Sequence, residues 1–253
     1  MRFYVGSSPA RVTVDNTHME LTLSNLEFLR PQEVGCYKGI VEDNSYGIHP
    51  SSIIGHEVVD IGAHVGIFSL YTATLGAETV FAFEPVNAHY SQLVNNISQF
   101  PGAKIYPYEV AIFNGIQKRV SISGEGTRSH VGGGEKLVQA WQLSMVNDLL
   151  ILPDPVLKID CEGAEYDILF HASSVDIRKY KHIFIDAHEK SCDEIHPEHS
   201  LCRINVIIDY LNFLGFRETA RQDFWNWVWD GQGNLVQHNR LDCVALGFER
   251  IGS

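Results

Sequence analysis

The stretch VVDIGAHVGIFSL, residues 58–70, begins as a strand and ends as a helix, with Gly62 and Gly66 flanking Ala63-His64-Val65 and Asp60 just ahead of them. A short Val/Ile-rich run suits a strand buried on both faces, and the apolar residues after Gly66 continue as a helix closed by Gly76. Glycine in the intervening turn lets the backbone approach a neighbour closely and accepts φ values that other residues resist. In an open α/β sheet such a turn lies at the carboxyl end of a strand, where ligands bind.

The pattern repeats along the chain. TVFAFE (79–84) predicts a second strand, and Asn87 is expected to cap a helix running to about Gln99. AKIYPYEVAI (103–112) reads as a third strand, followed by a Gly-rich excursion, SGEGTRSHVGGGEK (123–136), too flexible to pack as core. SMVNDLLIL predicts a short helix, PVLKID (155–160) a fourth strand and AEYDILFHA (164–172) its helix. HIFIDAH (182–188) is the fifth strand and LCRINVIIDYLNFLG (201–215) an amphipathic helix. FRETARQDFWNWVWD and RLDCVALGFE then read as a terminal pair of strands joined by GQGN. Alternating strands and helices imply crossover connections and a seven-stranded, mostly parallel sheet covered on both faces, with the last two strands antiparallel. Residues 1–55 are irregular and read as an N-terminal cap of short strands or one helix, and 56–253 as the main domain. Tyr46 is a candidate for closing over the site.

Composition narrows the classes. With 253 residues, 45% hydrophobic and 20% charged, the chain reads as a globular protein with a sizeable core. No apolar run is long enough for a membrane span, and the N-terminus lacks the apolar stretch of a secretory signal. The formal charge of −12 disfavours a phosphate backbone as partner. Five cysteines without tight spacing do not form a disulfide framework, and a cytoplasmic location is expected.

The turn narrows them further. A dinucleotide fingerprint needs a bare glycine in its middle position, and here His64 replaces it. The ribose-binding acid is nevertheless present, because Glu84 ends the second strand 22 residues after Gly62. These features suit a nucleoside without a diphosphate, and S-adenosylmethionine is the common one. Asp60 could meet its ammonium, and the exposed amides of Gly62, Ala63, His64 and Gly66 its carboxylate. Pro85 and Ala111, near the ends of the second and third strands, complete the expected cofactor contacts, with Asp160 on the far side.

Taken together, VVDIGAHVGIFSL, FAFEP and VLKIDCEGAEYDIL resemble the FkbM-type family of S-adenosylmethionine-dependent methyltransferases, which shows D-x-G-A-x-x-G, F-E-P and K-x-D-x-E-G-x-E in this order. SMVNDLL and IDAH resemble further family features, so the likeness spans roughly residues 42–247. It implies a class I methyltransferase (Rossmann-like) fold and methyl transfer to a hydroxyl on a sugar, lipid or natural product. His64, where the family more often has Asn, and Asp186, where it often has Glu, are departures.

The charged strand end has its own logic. Lys158, Asp160 and Glu162 alternate with Leu157, Ile159 and Cys161, so the three charges share one face of a strand that should be apolar on both. Buried charges must pair or line an opening. A structural ion pair and a methyl-transfer site are both consistent with this. On the next strand Asp186 and His188 share a face, and a histidine is a natural general base for a hydroxyl acceptor. Lys158, Asp160 and His188 are therefore the catalytic candidates. A magnesium ion held by Asp160 and Asp186 is a second way to acidify a hydroxyl. The His/Cys-rich stretch 188–202 lacks zinc-ligand spacing and reads as an acceptor-side loop. Ser129 and His130 are candidate acceptor contacts, and the stripe Trp225, Trp227, Trp229 reads as sheet core before it reads as a sugar platform. A small molecule or glycan is the expected partner. A nicotinamide-dependent oxidoreductase and a non-catalytic cofactor-binding module are the rival readings.

Overall fold

Two-sided burial explains the central strand. All five residues of β1 (Glu57–Ile61) are buried, which only a strand this rich in Val and Ile tolerates. The computed structural model describes residues 32–114, 119–123, 130–131, 136–188, 204–229 and 235–252. Ahead of β1, helix α1 (Gln32–Tyr37) runs into a π-helical turn, Lys38–Glu42, and a 3-10 turn follows at Pro50–Ser52. After β1 come α2 (Ile67–Thr74), β2 (Thr79–Phe83), α3 (Asn87–Ser98), β3 (Ile105–Tyr108) and β4 (Ala111–Ile112). Then follow β5 (Arg119–Ser123), β6 (His130–Val131), β7 (Lys136–Trp141), α4 (Leu143–Asn147), β8 (Val156–Ile159), α5 (Glu165–His171) and α6 (Ser174–Arg178). β9 (His182–His188), α7 (Ile204–Phe213), β10 (Phe216–Trp229) and β11 (Leu235–Arg250) complete the chain.

Seven strands form the main sheet in the order β10-β11-β9-β8-β1-β2-β3. The five from β9 to β3 are parallel, while β11 runs antiparallel to β9 and pairs with β10 as a hairpin. From β1 the chain winds outward to β3, then returns to β8 on the other side of β1. That reversal opens a crevice at the carboxyl ends of β1 and β8.

Side-chain alternation sends Val59, Ile61, Leu157, Ile159 and Ile185 into one core, against Ile168 and Leu169 of α5 and Ile207 and Leu211 of α7. Val58, Val156 and Phe184 point to the other face, where Phe68 and Leu70 of α2, Leu93 of α3, and Tyr37, Val41 and Ile53 of the N-terminal segment cover them. Asp60, Lys158, Asp186 and His188 follow the parity of this second face.

Several sequence expectations change. The stretch 103–112 is two strands: β3 extends the main sheet, whereas β4 pairs with β7 in a second, four-stranded sheet, β4-β7-β5-β6. The surroundings of the Gly-rich excursion are therefore not without core, because Ala111, Val120, Val138 and Ala140 bury together. Residues 124–129, including Ser129, and 132–135 lie outside the described residues, as do 1–31 and 189–203. His130 falls in β6. Asn87 does not cap α3. It is the first helical residue, Val86 precedes it, and the Asn87 amide donates to Glu109 Oε1 at 2.9 Å instead. Tyr46 does not lie over the site; it is buried in the core, its ring 6.0 Å from Phe68. Trp225, Trp227 and Trp229 belong to β10, whose pairing shifts register around Trp225.

Candidate active site

The two glycines of the opening turn answer to the protein's own packing. Gly62 has φ +76°, and a Cβ there would lie 1.8 Å from the Asp160 carbonyl oxygen, so the ends of β1 and β8 touch backbone to backbone. Gly66 has φ +92°, and a Cβ would meet Leu93 of α3 at 2.6 Å. The turn is fastened on every side. Gly62 and Ala63 N–H both donate to the Phe83 carbonyl at 3.0 Å, Gly66 N–H to Ala63, and His64 N–H to Glu84 Oε2 at 2.9 Å. The buried Asn96 amide donates to the Val65 carbonyl at 2.8 Å. The amides expected to face a ligand carboxylate are thus occupied within the turn.

A crevice holding about 1040 Å³ of atom-free space, solvent at its mouth included, opens beside this turn. Gly62, Ala63, His64, Glu84, Pro85, Ala111, Lys158, Asp160, Asp186 and His188 all line it, whereas Asp60 and Gly66 are not part of its lining. On the β2 side of β1 its lining includes the apolar Phe83, Val110, Ala111, Ile112 and Ile122. On the β8–β9 side it carries Lys158, Asp160, Glu162, Asp186 and His188. Cys36 and Ile40 of the N-terminal segment also line it.

Glu84, buried at the tip of β2, joins the two halves of the adjacent turns. Oε2 accepts from His64 N–H, Oε1 accepts from Val86 N–H at 2.8 Å, and His89 Nδ1 lies 3.7 Å from Oε1. Each carboxylate oxygen has a second lone pair to offer a ligand. His64, in a left-handed conformation at φ +53°, packs its ring edge-on to His89 at 4.3 Å, and its Nε2 is 3.7 Å from Glu33 Oε1. Glu33 and His89 were not anticipated. Glu33 lies in α1, within the stretch that the sequence reading left irregular, where no pattern marked it.

Lys158 is 2% exposed and Asp60 0%, and they are direct neighbours across β1 and β8. The ammonium lies 3.1 Å from Asp60 Oδ1 and 3.6 Å from Asp160 Oδ2, and donates to the Gly62 carbonyl at 2.7 Å. Ser69 of α2 donates to Asp60 Oδ2 at 2.6 Å. Burial would lower the ammonium's pKa, but Asp60 and Asp160 outweigh it and hold the group above its ordinary value.

His188 sits between two carboxylates, its Nδ1 3.2 Å from Glu165 Oε1 and its Nε2 3.6 Å from Glu162. Burial opposes its charge, but Glu165, Asp186 and Glu162 raise its pKa well above the ordinary value. Glu165 is fully buried and accepts from Cys161 N–H at 2.7 Å and Gly163 N–H at 2.8 Å. Burial pushes Glu162 up to about 8 against the lowering pull of His188, with Asp160, Glu165 and Asp186 adding to the rise. Burial likewise raises Asp186, while His188 pulls it down. The thiol of Cys36 is pushed up to about 12, first by burial, so it is no thiolate nucleophile.

Among the described residues three groups bring possible cation ligands within reach of one another: Glu33–His64–His89, Asp186–His188–Cys243 and Asp160–Glu165–His188. His188 belongs to two of them, but both its nitrogens face carboxylates, so a metal there would compete with a proton that the site already favours. Asp160, expected to share magnesium with Asp186, already has the Lys158 ammonium as its cation.

The family model described as methyltransferase FkbM domain matches residues 60–218, well over half of the chain. The chain belongs to the FkbM methyltransferases. It is also similar to the AMB antimetabolite synthetase AmbE of Pseudomonas aeruginosa, at 23% identity over 75% of this chain but only 10% of that much longer protein. Among solved structures it is similar to a putative RNA methyltransferase from Pyrococcus horikoshii (16% identity, TM-score 0.47, 90% of this chain and 95% of that one). An O-methyltransferase from Bacillus cereus in complex with SAH is another (11% identity, TM-score 0.45, 90% and 86%). The sheet order described above, with its single reversal and antiparallel hairpin, is the class I methyltransferase architecture expected from the sequence. No helix among the described residues is long and apolar enough to cross a membrane.

Proposed function

We propose that this FkbM methyltransferase binds S-adenosylmethionine in the crevice and transfers its methyl group to a hydroxyl oxygen of a small-molecule or glycan acceptor. The observation that carries the reading is the division of the crevice: a buried carboxylate, Glu84, beside an apolar slot on the β2 side, and a buried ammonium fixed among carboxylates on the β8–β9 side. These residues fit the cofactor. Glu84 has lone pairs for two ribose hydroxyls, and the slot around Val110, Ala111 and Ile112 suits a flat heterocycle. The carboxylate-rich side suits a sulfonium and an ammonium. When bound, the cofactor supplies an activated methyl group on a good leaving group.

The chain's own part is mostly alignment, which can be worth several kcal/mol. Lys158 holds Asp160 and the Gly62 carbonyl in place, and Asp160 and His188 border the acceptor space. The division into an N-terminal cap, 1–55, and a cofactor-binding domain, 56–253, belongs to the same proposal, with Cys36 and Ile40 as the cap's contribution to the wall.

Calorimetric titration with S-adenosylhomocysteine and with NAD tests the cofactor, and a methyl-label screen over hydroxylated acceptors tests the reaction. Binding of the first and not of the second is expected; NAD binding alone would overturn the proposal. Because Lys158 already neutralises Asp160, turnover is expected to survive EDTA, and its abolition with recovery on adding magnesium would restore the metal alternative.

A further inference from the structure

We propose that Glu33, His64 and His89 form a binding site for a zinc ion, which ties helix α1 to the wall of the crevice. The three residues come from separate elements, α1, the β1–α2 turn and α3, yet each brings a ligand atom within 4.8 Å of the other two. The inference goes beyond the methyl-transfer reading and does not rest on it, since zinc binding can be read without cofactor or acceptor.

The donor set points to the metal. Two imidazoles and one carboxylate suit zinc, and three protein ligands leave a fourth position open. Magnesium and calcium take oxygen ligands and would be poorly served by two rings. His64 and His89 line the crevice while Glu33 does not, so the open position faces the crevice.

Spacing and burial agree. Glu33 Oε1 and His64 Nε2 lie 3.7 Å apart, beyond the reach of a hydrogen bond. Two atoms each about 2.1 Å from a tetrahedral zinc are separated by roughly 3.4 Å, so this pair stands close to one edge of such a site. The His89 ring meets that of His64 edge-on, with centroids 4.3 Å apart and planes at 73°. Closing the remaining distances, 4.8 Å at most, takes side-chain movements of about an ångström. Glu33 and His89 are buried, and a carboxylate so far from water calls for positive charge close by. Glu84 Oε1, 3.7 Å from His89 Nδ1, adds a second negative charge beside the rings, of the kind that orients ligating histidines. The site lies on the Glu84 side of the crevice, not beside Asp160 and His188, so EDTA can empty it without stopping methyl transfer.

The test is calorimetric titration of the full chain, stripped with EDTA and dialysed, with zinc chloride. One zinc per chain should bind with a Kd below about 10 µM. His64→Asn and His89→Asn should each lose it. Asparagine accepts the left-handed φ of +53° at position 64, so the first variant should fold. Zinc at about a hundredfold over Kd should raise the Tm of the unmodified chain by about 5–10 °C and leave that of His64→Asn unmoved. Cobalt(II) on the unmodified chain should give the intense visible bands of a four-coordinate ion, a measurement that needs no variant. Weaker binding, a six-coordinate cobalt spectrum, or zinc binding undiminished in either variant overturns the site; zinc held by the His/Cys-rich stretch 188–202 would show itself in the last way. None of these outcomes touches methyl transfer, which stands or falls on binding of S-adenosylhomocysteine.

Discussion

Replacing Lys158 by Met keeps the length of the side chain and removes its charge. Asp60 then stays fully buried with, among the described residues, the Ser69 hydroxyl as its remaining hydrogen-bond partner, and the Gly62 carbonyl loses the Lys158 donor. Breaking a buried pair from one side costs about 3–5 kcal/mol. Domains of this kind have about 5–15 kcal/mol in total, so the variant should be severely weakened yet still fold. In urea, with a slope near 3 kcal/mol per molar, the midpoint should fall by about 1 M or more. Adding Asp60→Asn to Lys158→Met removes the stranded charge, and the double variant should be more stable than the two single losses added together, by about 1–3 kcal/mol. The pH dependence has a definite sign. The folded pKa of Lys158 lies above its unfolded value, so the contribution is complete below about pH 10 and fades only as pH rises through the folded value. The deficit of the variant should therefore be flat between pH 6 and pH 9. A loss under about 1 kcal/mol, or a double variant as weak as the sum of its parts, would refute the reasoning.

Gly62→Ala should cost on the order of 3 kcal/mol, since a left-handed φ and a Cβ against the Asp160 carbonyl act together; thermal melts would show it, and a near-neutral result would mean the strand ends are not in contact. Glu84→Gln leaves the shape but removes the acceptor charge, and calorimetry should show S-adenosylhomocysteine binding roughly tenfold to a hundredfold more weakly. His188→Gln removes the cation beside Glu162, so the Glu162 carboxyl should ionise at higher pH, which carbon-13 NMR of glutamate-labelled protein would follow; a shift the other way would refute the ion pair. The stability His188 contributes through its raised pKa is complete below about pH 6.5 and should disappear as pH climbs through its folded value, which urea melts across pH 6–9 would follow.

Much of this architecture could be read from periodicity alone. VVDI fell within β1 and HIFIDAH became β9 residue for residue, because two-sided burial and flanking turns leave a short apolar run few alternatives. The split between β3 and β4 could not be read. Both halves of 103–112 are apolar, and only partners distant in sequence decide that Ala111 turns away to join Trp141's strand. Asn87 illustrates the same limit, since its amide has a competing partner in Glu109. In the site, the Lys158–Asp60 and Glu84 positions follow from strand parity and spacing, whereas Glu33 and His89 do not. Glu33 reaches the site from α1, a helix that no sequence pattern announced, and His89 reaches it because α3 carries it over the tip of β2. The role of the turn glycines was legible only as a need for room, and what fills that room is the protein itself.

The contact between Gly62 and the Asp160 carbonyl welds the floor of the crevice into the central strands. Loosening that floor therefore means parting the sheet, and heat should abolish ligand capture and native structure in a single event. Any give needed to admit an acceptor has to come from the walls that no strand pairing holds, the approach formed by Cys36, Ile40 and the left-handed Glu162 corner, so evolution could retune what enters without disturbing what is gripped.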